Sequence, residues 1–310
     1  MTNNKNISRR KFFGTSAAIA GVGLVLPNQL FANESKSGVE KQKSKKDLRY
    51  KISVCDWMIL KRQKKGAFKR TYEIGADGLE LDMGGLGNRD TFDNKILNPV
   101  DRRMLKDEIA KYNLELSSIA MSGFYAQSFA ERETVPLMVK DTINSMDLMG
   151  VKVAFLPLGT KSDLVQYPEL RPKVVERLKM AAEMAEASNV IIGIETSLDA
   201  AGEVKLLEEV GSKAIQIYFN FQNPLEGGRD LYEELKILGK DRICQIHCTD
   251  TDGVLLENNT RLDMHKVKET LDKMGWSGWL VIERSRDAND IRNVVGNYGA
   301  NTRYLKSIFQ

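Results

Sequence analysis

The stretch VIIGIETS, residues 190–197, decides the fold. Its first five residues are apolar or Gly, and Glu195 follows at once. A short, continuous apolar run of this kind reads as a strand covered on both faces, the pattern of a parallel sheet. A carboxylate at the end of such a strand needs a reason to be there. Working outward, seven further runs share the pattern: KISVCDW (51–57), GLELDM (78–83), LELSSIAMS (114–122), VKVAFLPL (151–158), AIQIYFNF (214–221), ICQIHC (243–248) and WLVIERS (279–285). Between them lie stretches with apolar residues at helical spacing and a Gly or Asn near the end, such as VDRRMLKDEIAKYN, VPLMVKDTINSMDLMG, LRPKVVERLKMAAEMAEASN and DMHKVKETLDKMG. Strand–helix alternation of this kind implies right-handed βαβ units. Eight of them in one chain predict a closed (β/α)8 TIM barrel over residues 49–310. No GxGxxG follows the first strand, which speaks against a dinucleotide-binding sheet.

The segment before the barrel reads differently. Ser8-Arg9-Arg10-Lys11-Phe12-Phe13 leads into a Gly/Ala/Val/Leu run ending at Leu26, then Leu30-Phe31-Ala32. A charged region, an apolar region and a small-residue cleavage site make residues 1–32 an expected signal peptide, and the SRRKFF string resembles the twin-arginine type. The apolar run is short for a bilayer span. Residues 33–48 are polar and Lys-rich, the composition of a disordered linker. The expected location is therefore the periplasm, without stable membrane association.

The whole chain carries a formal net charge of +4. Removing residues 1–32 takes away Lys5, Arg9, Arg10 and Lys11 and no acid, which leaves the remainder formally neutral. A neutral barrel lacks the basic footprint of a nucleic-acid binder. The three cysteines, Cys55, Cys244 and Cys248, lie in or beside apolar runs and read as buried thiols, not as a disulfide framework or a zinc site. Formation of a homo-oligomer is left open.

Barrel enzymes carry their chemistry at the carboxyl ends of the strands. Four polar residues end otherwise apolar runs there: Glu195, Asn220, His247 and Glu283. Two carboxylates, an imidazole and an amide oxygen sharing one mouth can hold a divalent cation that offsets their desolvation. The oxygen-rich set favours manganese, with magnesium, cobalt and zinc also suited. Trp57 and Glu80 are placed to face a bound small molecule, and Phe124 and Tyr125 to stack on its apolar face. His265, on a helical stretch, reads as a surface residue.

GIETS, YFNFQN, QIHCTD and WSGWLVIERS, in this order, resemble the sugar phosphate isomerase/epimerase family of xylose isomerase-like TIM barrels. The resemblance implies a metal-dependent isomerase or epimerase that moves a proton next to a carbonyl through an enediolate. Glu195 and Glu283 would be its catalytic residues as well as metal ligands, with His247 a third ligand. The fourth ligand, normally an aspartate, falls on Asn220; Asn223 follows, and the family's HxKD reads His247-Cys248-Thr249-Asp250 without its lysine. Asn223 and Asp250 are accordingly expected to bind substrate. An arginine of related epimerases falls on Gly253, so their ketohexose recognition does not carry over. An exported enzyme without a Gly-rich phosphate cradle is expected to act on an unphosphorylated sugar. A lyase acting on 3-keto-glycosides would use the same site, and a silent sugar-binding protein would keep the pocket without the chemistry. Two histidines are too few for the His-rich zinc centre of the endonuclease relatives.

Overall fold

The computed structural model describes residues 48–310; the expected signal peptide and all but the last residue of the expected linker lie outside them. Eight parallel strands close into a barrel in sequence order. They are β1 Tyr50–Cys55, β2 Gly78–Asp82, β3 Glu115–Ala120, β4 Val153–Pro157, β5 Ile191–Glu195, β6 Ile215–Asn220, β7 Ile243–His247 and β8 Gly278–Ile282. Around them run α1 Asp56–Ile59, α2 Gly66–Ile74, α3 Pro99–Lys111, α4 Val135–Met149, α5 Arg171–Ala187, α6 Ala200–Val210, α7 Gln222–Glu226, α8 Leu231–Leu238, α9 Met264–Met274 and α10 Val294–Phe309.

The observed strands fall inside the apolar runs or within one residue of them. The first run is the exception at its end, because Asp56 and Trp57 leave the strand and open α1. The helices stop where their sequences say they should: Gly150 closes α4 in the left-handed region at φ 72°, and Asn189 takes φ 51° just past α5. Asp199, Asp230 and Asp263 cap α6, α8 and α9 through their side-chain oxygens. None of the described helices is long and apolar enough to cross a membrane.

Alternation along each strand sorts its residues between the helix layer and the barrel interior. On β5, Ile192 and Ile194 join the large core between barrel and helices. Gly193 and Glu195 face inward, and Tyr218 and Asn220 on β6 and Gln245 and His247 on β7 share that inner side. Strand pairing aligns the ends: Asn220 is opposite His247, and His247 is opposite Val281, two residues before Glu283. The long connections that leave the carboxyl ends, 83–98, 121–134, 158–170 and 248–263, surround this mouth.

Gly193 is required by close packing. A Cβ there would lie 2.5 Å from Cys244 Sγ and 3.1 Å from Tyr218 Cβ. Gly193→Ala is therefore expected to destabilise the barrel by about 1–3 kcal/mol, the usual cost of overpacking. Adding Cys244→Ala removes the nearest atom and should restore most of the loss. Urea unfolding of the two variants checks this; equal destabilisation in both would show that the clash is not with Cys244.

Candidate active site

His247 is the centre of the site, fully buried at the end of β7. Its Nε2 lies 3.0 Å from Glu80 Oε2, and its Nδ1 lies 3.1 Å from Glu195 Oε2 and 3.9 Å from Glu283 Oε2. Its ring sits among those of Phe155, Tyr218 and Trp57, at centroid separations of 4.7, 4.6 and 6.5 Å. Burial alone would lower its pKa. The charges of Glu80 and Glu283, with the bonds to Glu195 and Glu80, hold it well above the usual histidine range.

Glu80 is expected to face a ligand; it points into the barrel but sits one layer beneath the cavity. It has no exposure and lies beneath the site, where four donors converge on it. Ser118 Oγ and Tyr218 OH each donate to Oε1 at 2.9 Å, and Cys55 Sγ and His247 Nε2 approach Oε2. Gln245 donates to both Ser118 and Tyr218, completing a buried network. Satisfied networks of this kind fix geometry, since any broken member leaves a desolvated polar group.

Above His247 the two other carboxylates meet. Asn220 Nδ2 donates to Glu195 Oε2 at 3.0 Å and approaches Glu283 Oε2 at 3.4 Å. Tyr125 OH does the same on the other oxygens, 3.1 Å from Glu195 Oε1 and 3.4 Å from Glu283 Oε1. Burial, with the charges of Glu195 and Glu283, raises the tyrosine's pKa well above its ordinary value, so it acts as a donor. Glu283 is itself raised by burial; its repulsion from Glu195 adds to this, while the charge of His247 opposes it. Tyr125 was expected to stack on a ligand. Its hydroxyl clasp on two glutamates, 70 and 158 positions away, had no signal in the sequence.

Tyr125, Glu195, Asn220 and Glu283 line a cavity of about 160 Å³ together with Leu158, Asp163, Thr196, Gln222, Asn223 and Arg284. Asn223 is on its wall, donating to the Thr196 carbonyl at 2.8 Å. Trp57 stacks on Phe155 beside the site and opens onto a neighbouring hollow. Of the expected ligand contacts Asn223 and Tyr125 line the cavity; Trp57 and Glu80 stop short of it, and Phe124 and Asp250 are turned away. Phe124 is buried edge-on against Phe92 and Phe129, because the turn after β3 points it into the core. Asp250 is buried with its carboxylate committed to Arg261, Asn259 and the Thr251 amide. His265 is exposed, as expected.

Whether a divalent cation fits can be judged from the donors. Ligand atoms at about 2.1 Å from an octahedral ion lie about 3 Å apart. Glu195 Oε2 and His247 Nδ1 meet that spacing; Glu283 Oε2, 3.9 Å from the same nitrogen, would have to move closer to join them as a third donor. Asn220 does not supply the fourth in this arrangement. Its Oδ1 accepts the Gln222 backbone N–H at 3.0 Å, and since that N–H can only donate, the amide nitrogen faces the carboxylates. Ligand atoms of Cys55, Glu80 and His247 also cluster within 4.8 Å of one another. There the Cys55 thiol donates to Glu80 Oε2 at 3.3 Å, and burial, with the charges of Glu80 and Glu283, raises its pKa well above normal.

A sequence profile of the xylose isomerase-like TIM barrel matches residues 68–308. The chain belongs to that family. It is 25% identical over 205 residues, 64% of this chain and 72% of the relative, to a 2-epi-5-epi-valiolone 7-phosphate 2-epimerase of Actinoplanes sp.. Among solved members, a 3-keto-D-glucoside 4-epimerase from E. coli superposes with a TM-score of 0.66 at 17% identity, covering 83% of this chain and 99% of the other. A D-psicose 3-epimerase from Clostridium cellulolyticum, solved with D-tagatose, gives 0.65 at 12% identity, covering 84% and 99%. At these identities the two structures speak for the fold alone.

Behind Glu195 stands a residue that the sequence did not single out. Glu203, at the start of α6, is buried and accepts from Thr196 Oγ1 at 2.8 Å, while its Oε2 has no hydrogen-bond partner among the described residues. Thr196 Oγ1 in turn takes the Leu198 N–H, so Glu203 anchors the loop that carries Glu195. Burial pushes its pKa up to about 8; the Thr196 bond works against that rise and Glu234 adds to it. A raised carboxyl pKa stabilises the fold fully below the unfolded value near 4.5, and this contribution is lost as pH climbs toward about 8. Over that window stability should fall by up to about 1.4 kcal/mol per pH unit from this group. Glu203→Gln is expected to flatten the decline. Thermal unfolding at pH 6 and pH 9 measures it, and an unchanged pH dependence in the variant would refute it.

Proposed function

We propose that this protein is an isomerase or epimerase of keto sugars, which moves a proton at a carbon next to a carbonyl. One observation carries the reading: Glu195 at the end of β5 and Glu283 just after β8 converge on the same His247 nitrogen and share the Asn220 and Tyr125 donors. Two carboxylates that flank one cavity can take a proton from one side of a carbon and return it from the other. Return to the opposite face gives an epimer; return to the neighbouring carbon gives an aldose–ketose shift. The relatives support the reading by their named activities, all of them epimerisations.

In this proposal Glu195 and Glu283 hold and transfer the proton at their carboxylate oxygens. Tyr125 and Asn220 hold the pair at fixed spacing, so that little reorganisation is needed when the proton moves. His247, fixed by Glu80, keeps a positive or ligating nitrogen beside both acids. A divalent cation held by Glu195, His247 and Glu283 would polarise the substrate carbonyl and the adjacent hydroxyl. The SRRKFF signal pattern supports a site of action outside the cytoplasm.

Incubating the protein with keto sugars, a ketohexose and a 3-keto-glucoside among them, in deuterium oxide tests this directly. Deuterium is expected to enter at the carbon beside the carbonyl as an epimer or isomer accumulates. Glu195→Gln and Glu283→Gln should each slow exchange by about a hundredfold or more. Exchange that proceeds unchanged in both variants would overturn the assignment.

A further inference from the structure

Arg284 follows Glu283 in the chain and, like it, lines the active-site cavity. Among the described residues it is the only cationic side chain in that wall, and it is half-buried. The polar side chains around it are committed to one another. Tyr125 and Asn220 hold the two glutamates, Thr160 donates to the Tyr125 carbonyl, Ser197 to Asp163, Gln222 to Glu226 and Asn223 to the Thr196 carbonyl. The Arg284 side chain makes no hydrogen bond or ion pair among the described residues. Acids are not lacking nearby. Arg286, two residues on, is bonded to Asp252 through Nε and Nη2, and Arg62, Arg229 and Arg261 each hold a carboxylate as well. Burial raises the Glu283 pKa, and the charges of His247 and Arg284 oppose the rise, so the guanidinium lies within electrostatic reach of that carboxylate without bonding to it.

Consecutive residues of an extended strand point to opposite sides, yet Glu283 and Arg284, just past β8, both reach the cavity. The turn that follows holds them there. Ser285 is fully buried at φ +63°, in the left-handed region that a residue with a side chain disfavours. Its Oγ accepts the Asp250 N–H at 3.0 Å and donates to the Asp250 carbonyl at 3.3 Å, and its own carbonyl accepts from Asn301 Nδ2 at 2.8 Å. The Arg284 N–H donates to Thr249 Oγ1 at 3.0 Å, and the Glu283 carbonyl accepts from Tyr298 OH at 2.6 Å. The backbone on both sides of Arg284 is thus pinned while its side chain is left without a partner. Asp250, expected to bind substrate, belongs to this mount instead. A disfavoured turn held by so many bonds aims the residue before it, and here it aims an uncommitted cation at the cavity that holds both acids.

We propose that Arg284 is a catalytic residue of the proton transfer, its guanidinium receiving the oxygen that becomes negative when the proton leaves the adjacent carbon. The proposal rests on the reading of the cavity as a site of proton transfer next to a carbonyl. When Glu195 or Glu283 removes the proton, the C–H electron pair forms a carbon–carbon double bond and the carbonyl π pair moves to oxygen. Return of a proton to carbon reverses both shifts. The oxygen is neutral in the substrate and negative in the enediolate, so a guanidinium facing it stabilises the transition state more than the ground state.

Two measurements on the full chain test this. In the first, deuterium uptake by a keto sugar is compared in the natural protein, Arg284→Met and Arg284→Lys, alongside thermal unfolding of each. Because the side chain bonds to nothing, unfolding temperatures should be unchanged, while kcat falls about a hundredfold in Arg284→Met at nearly constant KM and Arg284→Lys recovers part of the loss. An unchanged rate in Arg284→Met, or a rise in KM alone, would overturn the assignment. The second needs no turnover. It is a calorimetric titration with D-arabinonate, whose planar carboxylate carries a shared negative charge beside a hydroxyl-bearing carbon, and with uncharged D-arabinitol. The natural protein should bind arabinonate at least about tenfold more tightly, and Arg284→Met should erase the difference without weakening arabinitol. Equal affinities in the natural protein, or a preference that survives in Arg284→Met, would overturn the role in receiving a negative oxygen. If the natural protein exchanges no keto sugar, the proposed activity fails, and the titration still decides whether Arg284 binds an anionic oxygen.

Discussion

The site depends on a histidine gripped at both ring nitrogens. Glu80 holds His247 Nε2 from below and Glu195 meets Nδ1 from above, and everything at the barrel mouth takes its position from that axis. Glu80 can serve as a fixed base because Ser118, Tyr218 and Cys55 also bond to it, on strands β3, β6 and β1. Closure of the barrel is what brings these strands around one centre. Deep burial in turn strengthens each electrostatic contact relative to water. Fold and site are therefore linked at the level of individual hydrogen bonds.

The strand ends were legible because a parallel strand covered on both faces leaves few places for a charged residue. Glu195, Asn220, His247 and Glu283 could all be picked out for that reason, and they do meet. Alternation also told which residues of each strand share the interior. Past the strand end that rule lapses. Neighbouring residues Phe124 and Tyr125, both in the turn after β3, go to opposite fates: one packs among phenylalanines, the other reaches both glutamates. Asp250 likewise follows β7 by three residues and is drawn off by Arg261, a partner no local pattern announces. The depth of Glu80 is not legible because a strand residue facing inward can sit at the cavity or one layer beneath it, and only the register of β2 against its neighbours decides between them.

Asn220 is where chemistry and local backbone structure disagree most informatively. An aspartate there could give one oxygen to the Gln222 amide and the other to a cation. Asparagine has a single oxygen, which Gln222 takes, and its amide nitrogen is left to face Glu195 and Glu283. The residue thereby changes from a ligand to a donor that ties two acids together, aided by Tyr125. A cation at this site is left with Glu195, His247 and Glu283 as its protein donors, one fewer than the sequence pattern led one to expect.

That account is tested most directly by calorimetric titration of manganese into the natural protein and the Asn220→Asp variant, both freed of metal beforehand. If the Asn220 oxygen is withheld by Gln222, the aspartate restores a fourth donor and a negative charge, and manganese should bind at least about tenfold more tightly to the variant. Equal affinity in the two proteins would mean that Asn220 already ligates through its oxygen, and would contradict the three-donor site.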